Sequence, residues 1–372
     1  MRVKCKKIIK FVCLCIVAAS LLVTTGCGSP PEVNAPENTA TLPATPTPSA
    51  TQNAEVPTPT PQTTPDLSNY AVNPLTGVQD MDKANIGKRS IAVMISNIKP
   101  ATPQAGITEC DIIYELEVEG GITRMMGMFA DVNKIPTLGP IRSARDCFVD
   151  LALGYNTVYA HFGGSTSAIS KIGAQSLNNL DGTYLSNTFW RDQARLNSKG
   201  LEHSAMTSGQ KLSEAIASKG YKMDTGLTGG QAFEFYPQSQ FTADGTRDCT
   251  EASAKFSGSY TSVFKYNPTT KTYGKSQFGA PHVDENGKQV ETTNVIIIKA
   301  NIVSETSGYV TVTFSSGKGY CFSGGKCKEI QWSKGNLKNP ISYSNLDGTP
   351  LKVNAGKTYV CVVRDESRIT IS

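Results

Sequence analysis

The chain has 372 residues, 39% hydrophobic and 18% charged, with 20 Pro and 10 Cys. That is room for more than one ordinary domain and for fewer than three. Five of its 36 basic residues (Arg2, Lys4, Lys6, Lys7, Lys10) lie within residues 1–27, which hold no acid, so the remainder carries 31 basic against 31 acidic residues. A neutral body lacks the Lys/Arg surplus that displaces counterions from phosphates, which argues against a general nucleic-acid binder.

Residues 1–26 read as a secretory signal: a basic start, MRVKCKKIIK, then the apolar stretch FVCLCIVAASLLV, then small residues up to TTGC. The apolar stretch, about 13 residues, falls short of the ~20 a permanent membrane helix needs. Gly26-Cys27 resembles the lipobox of bacterial lipoproteins, with Thr24 where Leu is usual. That resemblance implies cleavage before Cys27 and a diacylglycerol on its thiol, with acyl chains such as palmitate. Gly28-Ser29, with no Asp after the Cys, fits an address at the outer face of the bacterial plasma membrane. An ordinary signal peptide with an incidental Cys is the plainer alternative. Two or more acyl chains hold a protein durably, each buried CH₂ adding about 0.8 kcal/mol. Cys27→Ala is therefore expected to release the protein into the medium, and fractionation of cells and medium checks it. Residues 27–69 form a Pro/Thr-rich tether, and residues 28–66 contain no Lys, Arg or aromatic residue. Such a segment buries too little to offset its ordering entropy. As polyproline II at about 3.1 Å per residue it reaches on the order of 100 Å.

From Tyr70 the composition becomes globular. KRSIAVMISN (88–97) predicts a strand. ECDIIYELEVEG (109–120) opens a helical or extended apolar run, and ITRMMGMFADV (122–132) reads as a second strand. In ARDCFVDLALGY (144–155), Phe148, Leu151, Ala152 and Tyr155 mark one face of a helix. NTVYAHFGG (156–164) predicts a buried strand, and STSAISKIG a helix after it. GQKLSEAIASKGY (209–221) predicts a helix capped by Ser208 and closed by Gly220. After about residue 235 helix signals stop. YTSVFKYNPTTKTYGK, NVIIIKANIV, YVTVTF, KEIQWSK and KTYVCVV are strand patterns separated by turns. The expected class is α+β: a layered sheet-and-helix N-terminal domain (70–235), then a mainly antiparallel β C-terminal domain (236–372) that either stands apart or continues the first sheet.

Six Cys remain beyond Cys27, with no CxxC, so a zinc ribbon is not indicated. Cys321 and Cys327 flank FSGGK in a predicted hairpin, where they either form a disulfide or stay free.

The polar residues gather in turns: VEGGITR (118–124), LGPIRSARD (138–146), FWRD (189–192), AHFGGS (160–165) and LEHSAMTS (201–208). Arg124, Arg142, Arg145 and Arg191 are permanently charged planar forks suited to carboxylate or phosphate. If Ser143 starts the helix that follows, Arg142 and Arg145 lie near its N-terminus, where backbone N–H groups favour an anion. Glu119 and Asp146, with Asp192, supply counter-charges, and Ser143 and His203 complete the candidates. One expectation is an anion-binding cleft; the other is that these arginines tie loops together, Arg145 to Glu119 for instance. His161 in an apolar strand reads first as a hydrogen-bonded core residue, and His282 with Asp284 as local turn structure. No metal site is assigned. GxSxG and HExxH are missing, and no dinucleotide or Walker fingerprint appears. Trp190 and Trp332 read as core aromatics before sugar platforms.

Several phrases resemble one family: NPLTG at Asn73–Gly77, PQAGI, CDIIYE, EGGITR, GPIRSAR, the GGS turn and PHVDENGK at Pro281–Lys288. Over about residues 73–370 the chain resembles the YerB-like bacterial lipoproteins. Where that family has Pro-His-Asn, this chain has Glu202-His203-Ser204. The resemblance implies an α+β fold and an envelope location, without an established reaction. The succession Asp111, Arg124, IRSARD and a GGS turn is also similar to LytR–CpsA–Psr phosphotransferases, which act on lipid-linked wall polymers. Only that alternative calls for a cofactor, Mg²⁺, to neutralise a phosphoryl group in transfer. Three functions follow: a module binding an anionic wall polymer or lipid-linked precursor, such a phosphotransferase, or a structural partner of a membrane complex whose protein partner the sequence does not identify.

Overall fold

A computed structural model of the chain describes residues 67–226 and 232–372. Cys27, the leader and most of the tether lie outside those residues. Eleven labelled elements make up the first half: β1 (Ile91–Ser96), β2 (Ile112–Glu117), β3 (Thr123–Phe129), α1 (Asp146–Gly154), β4 (Val158–His161), α2 (Thr166–Ala174), β5 (Asn179–Asp181), β6 (Trp190–Arg191), α3 (Gln193–Lys199), β7 (Ala205–Met206) and α4 (Gly209–Ser218). The second half contributes β8 (Arg247–Asp248), β9 (Glu251–Lys255), β10 (Thr261–Asn267), β11 (Thr272–Gln277), β12 (Asn294–Lys299), β13 (Ser316–Ser323), β14 (Lys326–Ser333), β15 (Ser342–Ser344), β16 (Thr358–Val363) and β17 (Ile369–Ile371).

One eleven-stranded sheet runs through both halves in the order β8-β14-β13-β12-β16-β2-β3-β1-β4-β5, with β15 beside β14. The joint is β16, whose TYVCVV is buried at every position. It pairs in parallel with β12 on one side and with β2 on the other. A strand covered on both faces reads as a continuous apolar run, which is the pattern here. The second half thus continues the first sheet. It also builds a six-stranded antiparallel sheet from β9, β10, β11, β17 and two short strands, Ala280–Pro281 and Glu291–Thr292.

Three layers result. Phe148, Leu151 and Ala152 of α1 and Ala168 and Ile172 of α2 bury against one face of the main sheet. Leu212 and Ile216 of α4 bury on the other, together with Ala252 and Phe264 of the second sheet. The helix ends follow local chemistry. Ser165 caps α2 by accepting from the Ala168 amide at 3.2 Å, and Ser208 caps α4 through the Lys211 amide at 3.4 Å. Ser143 does not start α1. Arg145 is its N-cap, with extended backbone and no side-chain cap bond. The run 109–120 resolves into a 3₁₀ turn, Ile107–Glu109, and the strand β2. NVIIIKANIV divides after Lys299, and Asn301–Ser304 pairs with Val310–Thr313 as a separate hairpin.

The β13–β14 hairpin turns at Gly324-Gly325, both at positive φ (64° and 75°), as a two-residue turn of that hand requires. Ser323 then faces Lys326, Phe322 faces Cys327 and Cys321 faces Lys328. Successive strand residues point to opposite faces, so Cys321 and Cys327 lie on opposite sides of the sheet. All six described Cys are free thiols. Of the two outcomes the sequence left open for Cys321 and Cys327, the disulfide is the one the structure does not form: register, not sequence spacing, decides which side chains meet.

Candidate functional site

Val118–Ile122 makes the tight connection from β2 to β3, with Gly120 and Gly121 at φ 66° and 69°. That turn presents Glu119 to two arginines. Arg124, 2% exposed, donates from Nη2 to Glu119 Oε1 at 2.6 Å and from Nη1 to the Ser143 carbonyl at 2.6 Å. Arg145 donates from Nε to Glu119 Oε2 at 2.7 Å, from Nη2 to Glu119 Oε1, and from Nη1 to its neighbour's carbonyl, Ala144 O, at 2.7 Å. Burial acts to raise the Glu119 carboxyl, but the bonds and charges of Arg145 and Arg124 outweigh it and hold the group below the ordinary carboxylate range. Burial, with repulsion from Arg145, pushes Arg124 down to about 10. Arg124 and Arg145 are therefore loop ties, and the cleft lined by all four arginines is corrected accordingly.

Arg142 and Arg191 differ. Arg142 reaches Glu202 through Nη1 alone, at 3.2 Å to the carbonyl and 3.3 Å to Oε2, and that carboxylate is 70% exposed. Arg191, at the end of β6, donates from Nη1 to the Leu201 carbonyl at 2.6 Å and lies 4.3 Å over the Phe162 ring. The Phe162 amide in turn donates to the Arg142 carbonyl at 3.0 Å. Arg191 thus stacks its guanidinium on Phe162, Arg142 bonds that residue through its backbone carbonyl, and both side chains meet the 201–202 turn. Among the described residues, Nε and Nη2 of each have no protein acceptor.

His203, 8% exposed, lies beside this pair with its Nδ1 unpartnered. Burial and the charge of Arg142 lower its pKa, which favours the neutral ring. Ser143 Oγ faces the turn after β4; a Cβ added at Gly163 would stand 3.9 Å from it. Asp146 opens α1 with Oδ1 buried and unpartnered. Asp192 caps α3 by accepting from the Arg195 amide at 2.7 Å, so FWRD is a helix start rather than a plain turn. The exposed aromatic near this face is Trp190, at 37%, whereas Trp332 is a core residue.

His161 is held inside, with Nδ1 2.8 Å from the Gly163 carbonyl and Nε2 3.2 Å from Asn179 Oδ1. Asp284 organises a turn: it accepts from the Thr108 amide at 3.1 Å and hydroxyl at 3.0 Å, and from the Asn286 amide at 3.2 Å. Among the described residues no three His, Cys, Asp or Glu are grouped to hold a metal ion. The phosphotransferase pairing is not assembled. Arg124 lies opposite Leu116, and Asp111, the residue just before β2, sits five positions back along the chain, about 16 Å away if extended. There Asp111 accepts from the Ala130 amide at 2.7 Å, and burial pushes its pKa up to about 6.

A buried network escaped sequence reasoning. Glu115 Oε1 accepts from Asn97 Nδ2 and Thr123 Oγ1, both at 2.7 Å, and Oε2 from Ser262 Oγ and the Tyr359 hydroxyl, both at 2.7 Å. Lys275 Nζ lies 3.8 Å from Oε2, donates to Gln277 Oε1 at 2.6 Å and meets His282 Nδ1 at 3.1 Å. His282 Nε2 is 2.8 Å from Gln104 Oε1. The signal was an acid at an inward position of the apolar strand IIYELE. Burial, then Lys275, holds His282 well below the ordinary imidazole range. A ring that stays neutral when folded but takes a proton near pH 6.5 when unfolded contributes stability present above 6.5 and lost as pH falls below it. Asp111, raised by burial, has the opposite sign: its contribution is full below the ordinary carboxylate pKa and fades as pH rises through about 6. Urea melts of the wild type minus those of His282→Gln are expected to isolate the histidine slope, up to about 1.4 kcal/mol per pH unit.

Two family descriptions match the chain. The N-terminal domain of a protein of unknown function (DUF3048) matches residues 75–222, and the C-terminal domain of that family matches 252–360. The chain is 30% identical over 325 residues to "Putative lipoprotein YerB" of Bacillus subtilis (strain 168), covering 83% of this chain and 91% of that protein. It is also similar to the crystal structure of the YerB protein from Bacillus subtilis, with a TM-score of 0.70 and 27% identity, covering 80% of this chain and 98% of that one.

Proposed function

Because the chain belongs to the YerB family of proteins with paired DUF3048 domains, we propose that it is a lipoprotein anchored through Cys27 at the outer face of the plasma membrane. Its body, divided at 70–235 and 236–372, holds an anionic envelope ligand, a wall polymer or a lipid-linked precursor. The ligand binds on the face made by Arg142, Arg191, Ser143 and His203. The observation that carries this reading is the pair of part-used guanidinium forks that both reach the 201–202 turn, Arg191 stacked on Phe162. A phosphate or carboxylate oxygen set between them receives charge-assisted bonds from donors that no group among the described residues occupies.

The test is co-sedimentation of the full chain with isolated cell walls carrying phosphodiester polymer, with walls stripped of it, and with vesicles containing a polyprenyl phosphate. Retention on loaded walls above that on stripped walls identifies the polymer, and retention on the vesicles above that on vesicles without the polyprenyl phosphate identifies the lipid-linked form, because the acyl anchor alone holds the chain to any bilayer. Arg142→Ala combined with Arg191→Ala is expected to weaken retention at least tenfold, at about 1.5–3 kcal/mol per charged hydrogen bond, and added salt to weaken the wild type. Wild-type affinity in the double variant contradicts the site.

A further inference from the structure

Away from the arginine face, a small cavity opens where the two halves of the body meet. One wall is the 3₁₀ turn Lys99–Ala101 with Thr102 and Pro103 after it, and the other is the hairpin from Gln277 to Val283. It holds about 190 Å³. One water needs about 10–15 Å³ and drug-sized ligands fill about 300–1,000 Å³, so the space suits a small molecule or one residue of a longer one. Pro103, Phe278, Pro281 and Val283 make the walls apolar. Among the described residues that line it, exposed Lys99 brings a positive charge and none brings an acid.

The floor of the cavity is chemically incomplete. Gln277, 6% exposed, ends β11 on the inward face it shares with Tyr273 and Lys275. An ammonium can only donate, so Lys275 fixes the Gln277 amide: Oε1 accepts from Nζ at 2.6 Å, and Nε2 is turned away from it. His282, which also lines the cavity, has a partner on each ring nitrogen, Lys275 and Gln104, and Gln104 donates onward to the Ser96 carbonyl at 2.9 Å. Gln277 Nε2 is left buried, its two N–H donors without an acceptor among the described residues. Such a donor is destabilising until something accepts from it, and the cavity is the route by which an acceptor arrives.

The walls are preformed. Gln277 pairs with Ala280 around the two-residue turn Phe278-Gly279, with φ 54° and 77°. A turn of that hand favours Asn, Asp or Gly first. A phenylalanine there is strained and persists only where its surroundings over-determine it. Phe278 packs edge-on against Tyr260, the ring centroids 5.2 Å apart, so its ring stands as a fixed wall. On the other side, Arg195 and Lys199 of α3 donate to the Pro103 and Thr102 carbonyls and hold that segment in place.

We propose that this cavity binds an N-acylated amino acid with a free carboxylate. The acyl carbonyl oxygen accepts from Gln277 Nε2, a small apolar side chain packs against Pro103, Phe278 and Val283, and the carboxylate meets Lys99. A free N-acetyl amino acid and the last residue of a peptide share this chemistry. The site is separate from the arginine face and does not rest on the ligand assigned to it.

The experiment titrates the full chain, held in lipid nanodiscs, with N-acetyl-alanine, with trialanine and with trialanine carboxamide. Calorimetry gives the affinities, and the ¹⁵N side-chain amide signals of Gln277 report the contact. Those signals are expected to shift and saturate, and the carboxamide to bind at least about fivefold more weakly than the acid, as for one exposed ion pair. Equal affinity for the acetylated amino acid and the peptide points to a free acid; tighter binding of trialanine points to a peptide end. Gln277→Glu still accepts from Lys275 but offers no donor, and is expected to weaken binding at least about tenfold. Ala280→Phe fills the cavity from an exposed position and leaves the Lys275 network alone. It is expected to abolish binding with an unchanged circular dichroism spectrum, which keeps the test decisive if Gln277→Glu disturbs the fold. A Gln277 signal that stays still under both acids, wild-type affinity in Ala280→Phe, or a carboxamide that binds as tightly as the acid overturns the proposal. Arg142→Ala with Arg191→Ala leaves this binding intact, so failure here and failure of the arginine face are read separately.

Discussion

Glu115→Ala is expected to lower the stability of the folded body by about 3–5 kcal/mol or more, and Lys275→Met by clearly less. The carboxylate is 1% exposed and is the hub for Asn97, Thr123, Ser262 and Tyr359. Its removal orphans those donors and leaves the Lys275 ammonium, 0% exposed, without its counter-charge. Breaking a buried pair by deleting one member costs about that much because the surviving charge stays desolvated. The reverse change leaves Glu115 with four donors still in place, and methionine fills the volume of the lysine stem. The donors come from β3 and the turn after β1, from β10 and from β16, so the same carboxylate fastens the second sheet to the first. Urea unfolding of both variants checks the asymmetry; equal losses, or a milder Glu115→Ala, contradict it.

Glu119→Ala is the second large effect, expected at about 3 kcal/mol, set against less than about 1 kcal/mol for Arg142→Ala. Glu119 bonds both members of the Arg124–Arg145 pair, and Arg124 has almost no access to water. Losing the acid leaves two like charges facing each other in a partly dry site. Arg142 instead contacts an exposed carboxylate at 3.3 Å, the kind of surface pair worth 0–1 kcal/mol. Four arginines from similar sequence phrases thus divide into two that hold the fold and two that remain available. A comparable loss for both substitutions, measured by chemical unfolding, contradicts that division.

Where local pattern decides structure, the sequence was readable. The apolar runs at 91–96 and 123–129, the helix face of 146–154 and the Ser208 cap all carry their own signal. Helix α3 did not, because QARLNSK has no apolar period and depends on the Asp192 cap. Nor did the insertion of β16 between β2 and β12, which joins residues about 245 and 65 positions apart. Parallel pairing of that kind leaves no short-range trace. EGGITR and IRSAR announced charged turns, yet which fork faces Glu119 depends on two glycines at positive φ and on how β3 lies beside the loop before α1. The hairpin around Gly324-Gly325 was legible, but a one-residue difference in pairing sends Cys321 and Cys327 to opposite faces.

The most direct test follows the guanidinium Nε–H signals of arginine-¹⁵N-labelled full chain while a soluble phosphodiester wall polymer is added. The account predicts that the Arg142 and Arg191 signals move together and saturate, while those of Arg124 and Arg145 stay where they are. Movement of Arg124 or Arg145, or silence at Arg142 and Arg191 under saturating polymer, would contradict it.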